Sequence, residues 1–344
     1  MQALMYRSVG VLEITEVDAP KLPSGGVVVG TAYAGVCGSD IRSWRHGNAR
    51  LKGPQILGHE VSGTIIGSDV GDLPVGTRVA VCPGISCLRC EQCQRGGAIW
   101  CRQRRSLGYD FPGGMAEQFA LPSEAVELGC VVPVPDHLSL RAASLAEPLH
   151  TVLNGQARAR VGADDSVLVI GLGPIGTLHT AVARSRGAGP VFAVDILDGR
   201  VAAAAAFLGH DAARVHPGDA STVRSWAPRA GFDIVVLAAG SAPAVTLAFQ
   251  VVAPGGRILA FAGMPADKSV VPIDLNRIHY QQLDLVGAFG GSPESFRHAV
   301  RWLAQSNLDL DGFVTTAVSL AQGVEAFELC EQGVGLKTSI AVGH

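Results

Sequence analysis

The sequence predicts an α/β protein, with a β-rich N-terminal half followed by a doubly wound parallel sheet. Three observations carry this. Residues 1 to about 150 hold short Val-rich runs broken by Gly and Pro, apolar strands alternate with helical stretches beyond residue 165, and one of those strands leads straight into a glycine-rich turn and a helix. At roughly 150 residues per domain, 344 residues make about two domains. Hydrophobic residues make up 48% and charged residues 17%, which excludes an intrinsically disordered chain. The formal net charge of −3, with no Lys/Arg block, leaves no electrostatic footprint for nucleic acid or an anionic membrane, so a small-molecule partner is expected.

Taken in order, the first strands are read at Gly26–Thr31, Val61–Ile66 and Thr77–Val81. Met1 to Pro20 carries Glu13, Glu16 and Asp18 with no basic start or apolar stretch, so no signal peptide is read and a cytoplasmic protein is expected. In a reducing compartment a tight cysteine cluster signals a metal rather than disulfides. Of eight cysteines, Cys87, Cys90, Cys93 and Cys101 follow C-x2-C-x2-C-x7-C, and Gly96-Gly97 lets the chain turn back to deliver the fourth. Four thiolates close a tetrahedral shell, the pattern of structural zinc, although the same ligands also suit an iron–sulfur cluster. Arg89, Arg95, Arg102, Arg104 and Arg105 are close enough in sequence to offset its negative charge.

A second set is dispersed: Cys37-Gly38-Ser39-Asp40, Gly58-His59-Glu60 and Glu147-Pro148-Leu149-His150. Each alone reads as a core residue, but together they offer one thiolate, one imidazole and one or two carboxylates, which bind zinc while leaving a position for substrate. Such a zinc polarises a hydroxyl so that its carbon can lose hydride.

A third set begins with the apolar run Ser166–Ile170, followed by Gly171-Leu172-Gly173-Pro174-Ile175-Gly176 and a helix through Ala183. The run Val191–Asp195 then places a carboxylate at the end of the next strand. This is the context a dinucleotide fingerprint requires: the glycines let backbone approach a pyrophosphate at the helix N-terminus, and Asp195 accepts from the ribose 2′-hydroxyl. A 2′-phosphate would be repelled there, so NAD is favoured over NADP, with Arg200 placed to stack on adenine or pair with a phosphate. Strands are read at Asp233–Ala238, Gly256–Ala262 and Asp284–Ala288, and a helix over Pro243–Val252. Ile234 to Gly256 is free of formal charge and nominally long enough to span a bilayer, but Gly240, Pro243, Pro254 and Gly255-Gly256 divide it into strand, turn, helix and turn.

On Cys-Gly-Ser-Asp at 37–40, Gly-His-Glu at 58–60, the four-cysteine lobe and the Gly-Leu-Gly-Pro-Ile-Gly turn, the whole chain resembles the zinc-dependent medium-chain alcohol dehydrogenases. The resemblance implies a GroES-like catalytic domain over 1–151 with the structural-zinc lobe at 87–101, a Rossmann domain over 152–286, a C-terminal segment 287–344 returning to the catalytic domain, and a site in the cleft between them. Glu147, opening Glu-Pro-Leu, resembles the sorbitol (polyol) and threonine dehydrogenase branches, which oxidise a secondary alcohol flanked by polar groups to the ketone. By the same resemblance Cys37 and His59 are ligands, Glu60 and Glu147 share the remaining protein role, and Ser39 is the hydroxyl that takes the substrate proton. The relay histidine common in the family is Arg42 here, which cannot accept a proton, leaving His46, His150 or ordered water as the exit.

Only four lysines stand beside abundant Arg and Ala, which suggests a GC-rich genome. In such organisms relatives act on cyclitols and aminocyclitols, so an aminocyclitol such as 2-deoxy-scyllo-inosamine stands beside polyol and amino-alcohol substrates. Asp40, Asp110 or Glu117 would then serve as an acidic group for the amine. Tyr109, Phe111 and Phe289 are read as pocket wall. A homodimer or homotetramer is implied, with the apolar run Ile258–Ala262 supporting edge-to-edge sheet pairing. Two other classes stay open: a non-catalytic nucleotide-binding protein of the same fold, and a zinc-independent quinone or enoyl reductase.

Overall fold

The computed structural model describes residues 1–209, 213–214 and 219–343. Its contacts divide the chain into two compact units, one made of Met1–His150 with Gly291–His344 and the other of Thr151–Gly290.

The first unit contains β1 (Gln2–Ser8), β2 (Val27–Gly35), α1 (Gly38–His46), β3 (Glu60–Ser68), β4 (Arg78–Val81), β5 (Gln118–Leu121) and β6 (Val131–Pro133). The helix α2 (Ala146–Arg158) begins in it. In the second unit β7 (Val167–Ile170), α3 (Pro174–Ser185), β8 (Val191–Asp195), β9 (Ala213–Arg214), β10 (Phe232–Leu237), α4 (Ala242–Val251), β11 (Val252–Ala260) and β12 (Asp284–Gly287) follow. The chain completes the first unit with β13 (Thr316–Ser319), α5 (Gly323–Gln332) and β14 (Thr338–Ala341).

The main sheet of the first unit runs β6-β4-β3-β2-β14-β13, and β5 also pairs with β2. β2 and β3 are antiparallel, with Gly35 opposite Glu60, so the end of one strand and the start of the other bring residues 35–37 and 59–60 together. Val29, Ile65, Val79, Phe119 and Leu121 are fully or almost fully buried beneath these strands. At about 25 cal/mol per Å² of apolar surface, each such side chain stabilises the fold by roughly 1.5–3 kcal/mol.

In the second unit all strands pair in parallel, in the order β9-β8-β7-β10-β11-β12. β7 is buried along its whole length, as expected of a central strand covered on both faces. Leu168, Val235, Leu247, Ala248 and Ile258 belong to one core that joins the sheet to α4. The uncharged stretch from Ile234 is therefore strand, helix and strand, and no helix among the described residues is long and apolar enough to cross a membrane. The expected edge at Ile258–Ala262 is corrected: β11 pairs with β10 on one side and β12 on the other, and β12 is the outer strand.

Candidate functional site

Cys37 is the N-cap of α1, and the cap fixes the geometry around it. Its Sγ accepts from the Ser39 amide at 3.5 Å, while Asp40 accepts from the Cys37 amide at 3.0 Å. A helix N-terminus favours negative charge, so this position suits a thiolate. His59 and Glu60 arrive at the start of β3, both buried. Ligand atoms of Cys37, His59 and Glu60 lie within 4.8 Å of one another. Gly35 makes room for the carboxylate, because a Cβ there would stand 2.2 Å from Glu60 Oε2.

The imidazole of His59 is fixed from both sides. Nε2 is 3.4 Å from the Ser39 hydroxyl, and Nδ1 is 3.4 Å from Asp40 Oδ1 without hydrogen-bond geometry. Burial opposes charge on this ring, but the Asp40 carboxylate outweighs it and holds the pKa well above the usual value. A carboxylate behind an imidazole is the arrangement that orients a metal-ligating histidine. Asp40 is fully buried and so is not the acidic group expected for an amine; Asp110 pairs with Arg50, and Glu117 accepts from the Gln2 amide.

Glu147 stands outside the 4.8 Å set but close enough to feel it. Its pKa is pushed up to about 7, chiefly by burial, with His59 opposing and Glu60 adding to the rise. The sequence reading missed the group that balances this charge: Lys337, at the start of β14, is buried, forms an ion pair with Glu60 and donates to the Val36 carbonyl at 2.9 Å. Burial opposes its charge and Glu60 outweighs burial, so Lys337 stays an ammonium. The donor set fits zinc: thiolate, oriented imidazole and carboxylate, enclosed by protein.

Arg42, at the family's relay position, and the relay candidate His46 are both exposed on α1. His150 is buried with Nδ1 against the Glu147 carbonyl, and burial pushes its pKa down to about 4. Tyr109 is close to the site, its ring 5.7 Å from that of His59, whereas Phe289 is exposed in the other unit. Phe111 instead helps line a cavity of about 590 Å³ with Met5, Ile56 and Phe119.

The four-cysteine lobe is assembled. Cys90 and Cys93 sulfurs are 3.5 Å apart, Cys90 and Cys101 3.8 Å, and Cys101 and Cys87 3.4 Å. A tetrahedral zinc with bonds of about 2.3 Å puts its sulfurs about 3.8 Å apart, so these spacings fit. Backbone amides also donate to the sulfurs, that of Cys87 to Cys101 at 3.3 Å and that of Cys90 to Cys87 at 3.4 Å. The amide of Cys93 leads in drawing Cys90 down to about 6. Arg95 and Arg105 are engaged by Glu91 and Glu124, which corrects the idea that both serve the sulfur charge.

In the second unit the turn Gly171–Gly176 enters α3, whose N-cap Gly173 supplies no side-chain cap and is followed by Pro174. First-turn amides, including that of Ile175, are thereby left for an anionic ligand. A Cβ on Gly176 would stand 1.7 Å from the Gly171 carbonyl oxygen, so the tight turn requires glycine there. Asp195 is buried at the end of β8; its carboxylate accepts from the Leu172 amide at 2.7 Å and the Leu197 amide at 2.9 Å, with Arg200 3.9 Å away. It thus ties the turn to the strand end.

Comparison with known proteins agrees with this geometry. Residues 23–136 match the alcohol dehydrogenase GroES-like domain and residues 174–305 the zinc-binding dehydrogenase domain. The chain is 33% identical over 327 residues to D-xylulose reductase A of Aspergillus oryzae, covering 92% of this chain and 89% of that protein. A zinc-binding dehydrogenase of Sinorhizobium meliloti 1021 bound to NADP superposes with a TM-score of 0.89 at 26% identity, covering 99% of each chain. An alcohol dehydrogenase from Escherichia coli CFT073 complexed with NADH gives 0.87 at 25% identity, again over 99% of each. A GroES-like fold with a thiolate, imidazole and carboxylate set, joined in one chain to a dinucleotide-type sheet, places this protein in the zinc-binding alcohol dehydrogenase family, as an oxidoreductase that uses zinc and a nicotinamide cofactor.

Proposed function

We propose that this enzyme oxidises a polar secondary alcohol of the polyol type to its ketone with NAD, and runs the reverse reduction with the same groups. The buried convergence of Cys37, His59 and Glu60 beside the Ser39 hydroxyl carries the reading, supported by the likeness to a D-xylulose reductase. Cys37 and His59 hold the catalytic zinc, and Glu60 and Glu147 share the third protein place; with one carboxylate the set sums to neutral. Zinc so bound supplies the Lewis acidity that lets a hydroxyl ionise near neutral pH. Asp40 orients His59, Lys337 restrains Glu60, and Ser39 takes the hydroxyl proton as it passes its own on to ordered water. Cys87, Cys90, Cys93 and Cys101 hold the structural zinc.

Gly171, Gly173, Pro174, Ile175 and Gly176 receive the pyrophosphate. Asp195, with Arg200 beside it, receives the adenosine ribose. An enclosed carboxylate repels a 2′-phosphate, which supports NAD. Eight cysteines with no disulfide among the described residues favour a reducing cytoplasm, and β12 offers an outer sheet edge for a second copy.

NADH formation by zinc-replete protein, measured on sorbitol, xylitol, threonine, scyllo-inosamine-type cyclitols, 2,3-butanediol and 2-butanol and repeated with NADP, tests the reading. Selective turnover of a polar secondary alcohol with NAD is expected. Silence across the panel, with both zincs and NAD bound, refutes it in favour of a non-catalytic nucleotide binder; reduction of a quinone or enoyl substrate that survives zinc removal refutes it in favour of a zinc-independent reductase.

A further inference from the structure

The cavity of about 590 Å³ belongs wholly to the first unit, and Cys37, His59, Glu60 and Glu147 do not line it. Its apolar lining includes Met5, Ile56 and Phe119, each at most 9% exposed. Five prolines also line it, Pro23 and Pro112 among them, and their fixed φ holds the wall in place before any ligand arrives. Interiors are close-packed, with few voids larger than a water molecule, so an apolar space of this size is of the kind that takes an organic molecule. The polar lining narrows the class. Gln55 is spent within the fold, its Nε2 donating to the Tyr109 carbonyl and its Oε1 accepting from the Ile56 amide, both at 3.1 Å. Among the described residues that line the cavity, the charged side chains are Lys21, Arg105 and Asp18, two cations to one carboxylate. Arg105 is held by Glu124 at 3.3 Å, whereas the Lys21 ammonium has no ion-pair partner among the described residues, Asp18 included.

We propose that this cavity is a second ligand site, separate from the catalytic residues, for an amphipathic organic anion: an apolar body lies beside Met5, Ile56 and Phe119, and its carboxylate pairs with Lys21. Burial of the apolar body supplies most of the affinity. Lys21 supplies the choice of charge, and because it is exposed its share is modest. A cationic amphiphile of the same length would meet Lys21 and Arg105 as like charges, with only Asp18 to offset them. Binding here stands or falls independently of which alcohol the enzyme oxidises.

Calorimetric titration of the zinc-replete chain with sodium decanoate tests this, with decyltrimethylammonium as the cationic counterpart. Each is repeated in Cys37→Ala, where no catalytic zinc competes for the carboxylate. In that variant as in wild type, one saturable decanoate site per chain is expected, at least about fivefold tighter than for the cation. Lys21→Gln should weaken decanoate about threefold and leave the cation no weaker. Ala120→Trp, which fills the cavity from its wall on β5, should weaken decanoate about tenfold or more. Should the tryptophan variant fail to fold, the Lys21→Gln variant and the ratio of the two probes carry the test. No saturable binding, or equal binding of both probes, overturns the proposal. So does a decanoate site that Cys37→Ala abolishes, since the carboxylate would then sit at the catalytic metal, or one that neither Lys21→Gln nor a folded Ala120→Trp weakens.

Discussion

The ion pair of Lys337 with Glu60 shows how far apart in sequence the parts of one site can be. Lys337 donates to Val36, 301 positions away, and its neighbours give no sign that it will be buried beside a carboxylate. Cys37, His59 and Glu60 were legible because metal chemistry restricts the residue types that can serve; a charge-balancing lysine has no such signature. Removing one partner of a buried pair leaves the other charge unbalanced, so Lys337→Met is expected to cost about 3–5 kcal/mol of stability, read as a fall in the denaturant midpoint. Adding Glu60→Gln should recover part of the loss. A single variant as stable as wild type would show that the pair carries no such weight.

His179, buried on α3, permits a pH prediction away from the metal residues. Burial pushes its pKa down to about 3, from 6.5. Below pH 6.5 the unfolded chain takes up a proton that the folded chain refuses until about pH 3, so this residue lowers stability by about 1.4 kcal/mol per pH unit as pH falls through that window. His179→Gln should flatten the acid limb of stability between pH 6.5 and 4. An unchanged slope would show that another group sets it.

The four-cysteine lobe was readable as a unit because its spacing is dictated by one tetrahedral ion. Its short helical segments, Glu91–Gln94 and Ala98–Trp100, contribute no buried residue, and Trp100 is 63% exposed. With so little core, the lobe is expected to owe its order to a bound metal. Stripping zinc is therefore expected to open Arg89, Arg95 and Arg102 to trypsin while the rest of the chain resists, and restoring zinc to protect them. Resistance unaffected by chelation would mean the lobe holds without it. The glycine turn was equally legible, since strand, turn and helix adjoin in sequence. What the pattern did not convey is that Asp195 accepts from the amides of Leu172 and Leu197, a contact closed only when β7 and β8 pair.

For the chain as a whole, alternation of strands and helices predicted a parallel sheet, and the order β9-β8-β7-β10-β11-β12 is the doubly wound arrangement. Which strand lies outermost was not legible: Ile258–Ala262 and Asp284–Ala288 are both plausible edges as sequence, and only pairing on both sides of β11 separates them. Likewise nothing local to Thr338–Ala341 says that it pairs with Val27–Gly35, since registers of that separation are set by the packed sheet. Substrate identity was the least legible, because pocket-wall side chains come from loops and carry no periodic signal.

The most direct test of a zinc-dependent alcohol dehydrogenase is to count zinc and measure turnover in Cys37→Ala. The variant is expected to keep one zinc per chain, in the four-cysteine lobe, to bind NAD as wild type does, and to lose alcohol oxidation by at least about a thousandfold. Wild-type turnover with the second zinc gone would contradict the account, because the chemistry would then proceed without the metal that Cys37 and His59 are placed to hold.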